Sequence, residues 1–577
     1  GRGPTRAEVD SAKTAVVART VASLDDLGGF GGLADQLNFY NHYLGDPSRI
    51  DDDLRRTAEV TPGRVQRFAA RQLDPARRVV VEVVPGPKMP VDDPPAPPEP
   101  EPAAASSTTG GGPDADAARP PSGEPWRNAV PSAGPTPTTP VPPVRRFTLA
   151  NGLAVWLVES HRLPMVSASL VSRLGSASDP PDRPGVVDLA TSALDGGTTG
   201  RDALGLSREL EAAGATLGND TGKDGTWLAA TSLTGHAPAT LAIMADVARN
   251  PTFPADEVDR VRDAAIVALR QDRDDADTIA ESVGVREVFG AGHPYGHRTV
   301  GTEDGLRAAT VDDLRRAHDR AFTPATTALV LAGDLDEAAA KTLAEGAFGS
   351  WTAGPPGGPA GGPPPPSPPA GTPDRVVIVD RPGATQTSLF LAAPGLAQAD
   401  PDYEPLLVTN RVFGGGFSSR LNANLRETRG YTYGAYSSVG NSRGVGLVSI
   451  AMDVQTPTTA DAVRETIREV DTLTASGVTA DELARAKQWL SGSLPSLFAT
   501  RTKTVGTLRT LYLDDLPVDY YQTRPARLAH LTTADVAAVA ARRFPSGAFT
   551  VVAVGDRSAI EGPLRALRLG SVSVASP

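Results

Sequence analysis

Residues 310–334 read TVDDLRRAHDRAFTPATTALVLAGD, and residues 531–556 read LTTADVAAVAARRFPSGAFTVVAVGD. In each, a threonine stands before a run whose apolar positions recur every three to four residues, the pattern of a capped amphipathic helix. A turn with proline follows, and then a short continuous apolar run of the kind that forms a buried strand. A third copy, VTPGRVQRFAARQLDPARRVVVEVV, starts at Val60. A capped helix followed by a strand is common in mixed proteins, but three copies that each close a block of chain mark an internal repeat.

Two stretches punctuate the copies. Residues 91–143 and 354–371 are too rich in proline and polar residues to bury a core and are expected to be extended, solvated linkers. They leave blocks 1–90, 144–353 and 372–570, the last two similar in length. Block one also contains GPTRAEVDSAK (Gly3–Lys13), which matches GVTADELARAK (Gly477–Lys487) in block three. Both pair a threonine with a glutamate three residues later, as in a capping box. Residues 1–90 are therefore expected to be the closing part of a unit whose beginning precedes residue 1.

Block two opens RFTLANGLAVWLVES, alternating apolar positions around Asn151-Gly152, a dipeptide suited to a tight hairpin in which both central residues take positive φ. Met165–Gly175 supplies a further strand, and helical stretches follow. Strands and helices in mixed order predict an α+β protein of repeated two-layer domains, each a mixed, mainly antiparallel sheet with helices packed on one face.

Composition narrows the chemistry. Across 577 residues, acidic side chains outnumber basic ones 68 to 56, so the averaged field repels phosphate backbones and nucleic acid is not an expected partner. The absence of cysteine removes disulfides, thiolate metal sites and cysteine nucleophiles. No apolar run reaches the length of a transmembrane helix, and no signal peptide is visible. The long proline-rich segment favours a periplasmic or secreted setting over the cytoplasm. DRDDAD (272–277) and DDDLRR (51–56) lack the spaced ligands of a calcium loop.

The run from the hairpin through Leu174-Gly175-Ser176, Asp179-Pro180 and Pro184-Gly185 into a helix resembles the opening of a pitrilysin/insulinase-family zinc metallopeptidase domain. In that family the helix after the glycine carries His-x-x-Glu-His. Residues three and four apart share a helical face, so two imidazoles bind zinc while the carboxylate between them serves as base. Here the segment reads GVVDLATSALDGGT (185–198). The resemblance places Asp188 and Ser192 at the histidine positions, Thr191 at the base position, and Ala268, within FPADEVDRVRDAAIVALRQ, at the third ligand position. None can do the required job, so a zinc-less copy is expected. His293 and His297 are the only histidines four apart, and Pro294 and Gly296 between them argue for a loop.

VFGGGFSSRLNANLRETRGYTYGAYSS (412–438) resembles the family's second-half motif. It maps the substrate-binding arginine and tyrosine onto Arg426 and Tyr433, a guanidinium and a phenol suited to hold a peptide backbone and a developing oxyanion. The glycine run by itself reads as a turn, because the lysine and hydroxyl of a phosphate loop are absent. The resemblance implies a non-catalytic portion of a zinc endopeptidase: half of a peptide chamber, with zinc in a missing N-terminal domain or a partner subunit. Its partners would be a peptide substrate and a zinc-bearing half, in cis or in trans. The alternative is a peptide-binding or scaffold subunit with no protease activity.

Overall fold

The computed structural model describes residues 3–73, 75–82, 84, 141–352, 365–368 and 376–576. Most of both expected linkers, 91–143 and 354–371, lies outside the described residues. The chain divides into two compact units, Gly1–Arg6 with Val60–Pro135, and Ala7–Glu59 with Thr136–Pro577.

The larger unit holds two six-stranded sheets. The first comprises β1 (Arg145–Thr148), β2 (Ala154–Glu159), β3 (Met165–Ser172), β4 (Thr216–Thr221), β5 (Thr226–Leu233) and β6 (Thr327–Gly333), in the order β1-β2-β6-β3-β5-β4. The second comprises β7 (Val376–Asp380), β8 (Gln386–Pro394), β9 (Ala435–Val439), β10 (Leu447–Gln455), β11 (Thr550–Gly555) and β12 (Val572–Ala575), in the order β12-β7-β11-β8-β10-β9. Five strands repeat in the same order: β2-β6-β3-β5-β4 in one sheet and β7-β11-β8-β10-β9 in the other. The sixth differs, since β1 pairs antiparallel with β2 whereas β12 pairs parallel with β7. Both sheets are mixed, with antiparallel pairs in the majority. The apolar runs that end the repeat are β6 and β11, central in their sheets and buried at every residue, which is why they do not alternate.

Each repeat helix starts on a threonine cap. Thr310 with Asp313, Thr479 with Glu482 and Thr532 with Asp535 form complete capping boxes, and Thr61 accepts from the backbone N–H of Arg64. One large core packs helices on the inner face of the first sheet and a second does so on the second sheet.

The opposite faces are covered by an exchange. The helix Ala276–Phe289, from the first half, lays Ile279, Ala280 and Val283 on Val377, Phe390 and Val552 of the second sheet. The helix Arg501–Leu513, from the second half, lays Val505, Leu508 and Leu511 on Val158, Val171 and Val330 of the first. Gly284 permits the first of these contacts, because a Cβ there would stand 2.5 Å from the Phe390 ring. Farther along the chain's N-terminal part, Asp25 accepts from the backbone N–H of Arg501 at 2.9 Å and ion-pairs with the Arg501 and Arg162 guanidinium groups at 3.2 and 3.3 Å.

Two local expectations change. Among the described residues the third repeat copy has its helix, Pro62–Gln72, but no strand: Val79, Val80, Val81 and Val84 are exposed, because nothing described there offers a ladder to pair with. The Asn151-Gly152 hairpin is not a two-residue turn. Only Gly152 takes positive φ (92°), and Asn151 instead donates its amide to the carbonyls of Phe348 and Trp351 at 2.8 and 3.0 Å. The asparagine is spent on tying the hairpin to the end of the helix Glu337–Phe348.

Candidate functional site

In the first half, the helix Val186–Ser192 begins at Gly185, whose φ of 100° and whose 2.4 Å approach of a would-be Cβ to the Val300 carbonyl both demand glycine. Asp179 closes the helix start, accepting from the N–H groups of Gly185 and Val187 at 2.7 and 2.8 Å, while burial pushes its carboxyl up to about 6. Thr191 is 3% exposed and donates its hydroxyl to the Val187 carbonyl at 2.8 Å, a bond closed within the helix. Asp188 is half-buried and burial pushes it, too, up to about 6. Ser192 is half-buried on the next turn, and Ala268 is exposed on the helix Ala255–Gln271.

Asp188 lines a polar cleft of about 470 Å³ with Asp220, Lys223, Glu281, His297 and Arg298; Ser192 and Ala268 do not line it. Burial pulls the Lys223 ammonium down to about 8, and its Nζ donates to the His297 carbonyl. Burial likewise lowers His297. Does this set fit a zinc ion? It does not: one carboxylate, a hydroxyl and a methyl stand at the ligand positions, and no cluster of three or more His, Cys, Asp or Glu side chains suited to a metal exists among the described residues. His293 is a structural residue, its Nδ1 accepting from the Tyr295 N–H at 3.0 Å and its Nε2 facing the Pro366 carbonyl at 2.8 Å.

The second half presents the opposite situation. Gly414–Gly416 form a turn, and a Cβ on Gly416 would collide with the Arg411 side chain, itself stacked 4.0 Å over Trp489. The segment Asn422–Thr428 is a π-helix, a widened coil that recurs at functional sites. Asn422 anchors it, exchanging side-chain bonds with the backbone N–H and carbonyl of Ala435, both at 3.0 Å. Arg426 lies on this segment with its guanidinium 4.2 Å from the centre of the Phe417 ring. Its Nε is 3.6 Å from Glu427, and its Nη1 is buried with no hydrogen-bond partner among the described residues. Gly430, at φ 64°, reverses the chain, and Tyr433 follows with 93% of its surface exposed.

Phe417, which shelves Arg426, and the cleft residues Asp220, Lys223 and Glu281 are not singled out by sequence reasoning, and His297 is read there only as a loop residue. Phe417 is within the recognised motif, so its proximity was available as a signal. The cleft residues come from the strand β4, the turn after it, an exchanged helix and a loop, and no local pattern unites them.

The two repeated sheets, the glycine-led helix and the Arg426 segment define an insulinase-type peptidase fold. The family model described as insulinase (peptidase family M16) matches residues 154–283, and that described as peptidase M16 inactive domain matches residues 308–490. The chain belongs to the insulinase family, peptidase family M16. It is 28% identical over 405 residues to an uncharacterized zinc protease of Streptomyces coelicolor, covering 69% of this chain and 86% of that one. It is 25% identical to a non-peptidase homolog of Helicobacter pylori, covering 63% and 83%. Among solved structures, a peptidase M16 inactive domain from Pseudomonas fluorescens superposes with a TM-score of 0.66 at 27% identity, over 72% of this chain and 98% of that one. No helix among the described residues is long and apolar enough to cross a membrane.

Proposed function

We propose that this chain is the non-catalytic portion of an insulinase-type zinc endopeptidase. It forms half of a peptide chamber and supplies Arg426 and Tyr433 to an active site whose zinc is held by another half, in cis or in trans. The observation that carries this reading is the state of Arg426: its guanidinium is shelved on Phe417 with Nη1 unpartnered, beside a segment that leaves Tyr433 open. A buried donor without an acceptor is costly, by about 1–3 kcal/mol, and a substrate carbonyl would offset that cost. Guanidinium and phenol are both suited to donate to a carbonyl oxygen as negative charge develops on it.

Two further facts support the division of labour. The zinc-motif positions hold no ligand set, and most exposed large apolar side chains, Phe30, Phe39, Tyr43 and Phe68 among them, lie before residue 85, surface suited to cover by another domain. The name of the Helicobacter relative favours a second reading, a peptide-binding scaffold without protease activity. The deciding measurement is zinc content and peptidase activity, with and without chelator, of this chain alone and of the protein that contains or pairs it with a zinc-bearing half. Zinc and cleavage only in the latter support the chamber reading. Neither in both supports the scaffold, and stoichiometric zinc in this chain alone overturns the assignment of its lost ligands.

A further inference from the structure

A second cavity, of about 350 Å³, lies against the β4–β5 turn Gly222–Gly225 and the end of the helix Arg501–Leu513. Its walls are built rather than incidental. Asp224 in the turn accepts from the Tyr295 hydroxyl at 2.5 Å and from the Arg443 backbone N–H at 3.0 Å, and a Cβ on Gly225 would meet the Leu513 side chain at 2.4 Å.

Besides Lys223 and Asp224, two charged side chains line this cavity with hydrogen-bonding capacity left over, Asp514, which takes a side-chain hydrogen bond from Asn441 through its other oxygen, and Arg509. Asp514 is 5% exposed, and its Oδ2 makes no hydrogen bond among the described residues. It caps the C-terminal end of its helix, where the helix dipole disfavours an anion and favours a cation. Burial, followed by the nearby Asp224 carboxylate, pushes its carboxyl up to about 7. Arg509, five residues earlier on the same helix, lies 3.8 Å over the Trp227 ring and is attracted by the Asp220 carboxylate without a hydrogen bond to it among the described residues. Between these lie the apolar side chains Val285, Phe289, Leu447 and Leu513.

A carboxylate oxygen without a hydrogen bond, a guanidinium held only by its ring stack and the more distant Asp220 charge, and an apolar wall within a single cavity match a ligand that carries all three complements. We infer that this cavity binds a small zwitterion with an apolar side chain, an amino acid or dipeptide, its ammonium on Asp514 and its carboxylate on Arg509. The volume stands near the lower end of small-molecule sites, which span roughly 300–1,000 Å³, and excludes a longer peptide. An ammonium group beside Asp514 would supply the partner that its Oδ2 lacks, and Arg509 offers a planar fork to a carboxylate while keeping its stack on Trp227. The inference does not rest on the peptide-chamber reading, because neither Arg426 nor the zinc-motif helix lines this cavity.

The test is calorimetric titration of the whole chain with L-phenylalanine, and with two analogues that each keep one charge, phenethylamine and 3-phenylpropionate. L-phenylalanine is expected to bind, and each analogue to bind about tenfold weaker or less. Asp514→Asn is expected to weaken L-phenylalanine by a similar factor while leaving 3-phenylpropionate, which has no ammonium, little changed. Arg509→Gln should do the converse with phenethylamine. No binding of either L-phenylalanine or L-leucine at millimolar concentration overturns the proposal, as does an analogue that binds as tightly as the zwitterion. The wild-type series decides the matter even if a variant fails to fold.

Discussion

The helix Val186–Ser192 and the segment Phe417–Tyr433 hold corresponding interest in the two halves, and they treat their polar groups in opposite ways. In the first, Thr191 bonds back to its own helix, Asp179 is consumed by two backbone N–H groups, and Asp188 is withdrawn toward a neutral form. In the second, a buried guanidinium nitrogen has no partner among the described residues, and the Phe417 and Tyr433 rings are left to solvent. On the first helix the polar groups are turned to the needs of the fold. On the Phe417–Tyr433 segment a donor stays unsatisfied among the described residues, in keeping with the binding role proposed for it.

The contrast can be broken most forcefully by Thr191→Glu, which puts the family's base into the sealed helix. A carboxylate without a partner there is expected to cost about 3–5 kcal/mol of unfolding free energy in a urea titration. A loss under about 1 kcal/mol would mean that the helix is not sealed. On the open side, under the proposed pairing with a zinc-bearing half, Arg426→Ala is expected to lower turnover of that assembly by about a hundredfold, with zinc content and melting temperature unchanged. Wild-type turnover in both this variant and Tyr433→Phe would remove the proposed role.

A smaller effect separates the halves by pH. The folded pKa of Asp188, about 6, lies above its ordinary value of 3.8, so the folded state holds the proton more tightly. Its contribution to stability is present in full below about 3.8 and is lost as pH rises through about 6. Asp188→Asn should therefore stabilise the chain by up to about 3 kcal/mol at pH 7 relative to wild type, with the gain shrinking toward pH 4, as read by denaturation at the two pH values. The smallest effect is expected of Tyr433→Phe on stability, within about 0.5 kcal/mol, because a ring this exposed contributes little to packing.

Much of the architecture was legible beforehand. Thr310, Thr479 and Thr532 announce helix starts through the acid three residues on, and the uninterrupted apolar runs ending at Gly333 and Gly555 identify central strands. Arg426 and Tyr433 could be singled out as candidates because the motif around them is a contiguous word. The exchange of helices was not: apolar residues along Ala276–Phe289 show that the helix is covered, but no sequence period states which sheet covers it. Val79–Val84 illustrate the same limit from the other side, since a run of valines has strand propensity, yet a strand exists only where a second one pairs with it. The polar cleft around Asp188 was invisible for the related reason that its members meet only through tertiary contacts.

The crossing of Ala276–Phe289 and Arg501–Leu513 also bears on what the segment between the halves can do. Each half wears a piece of the other, so a protease cut between residues 354 and 371 would sever the covalent join and leave two fragments clasped together. Neither fragment would be at home alone, for each would bare the sheet face its counterpart's helix had covered. The halves are thus suited to being produced as separate polypeptides that recombine into one body, and poorly suited to swinging apart about their connecting segment.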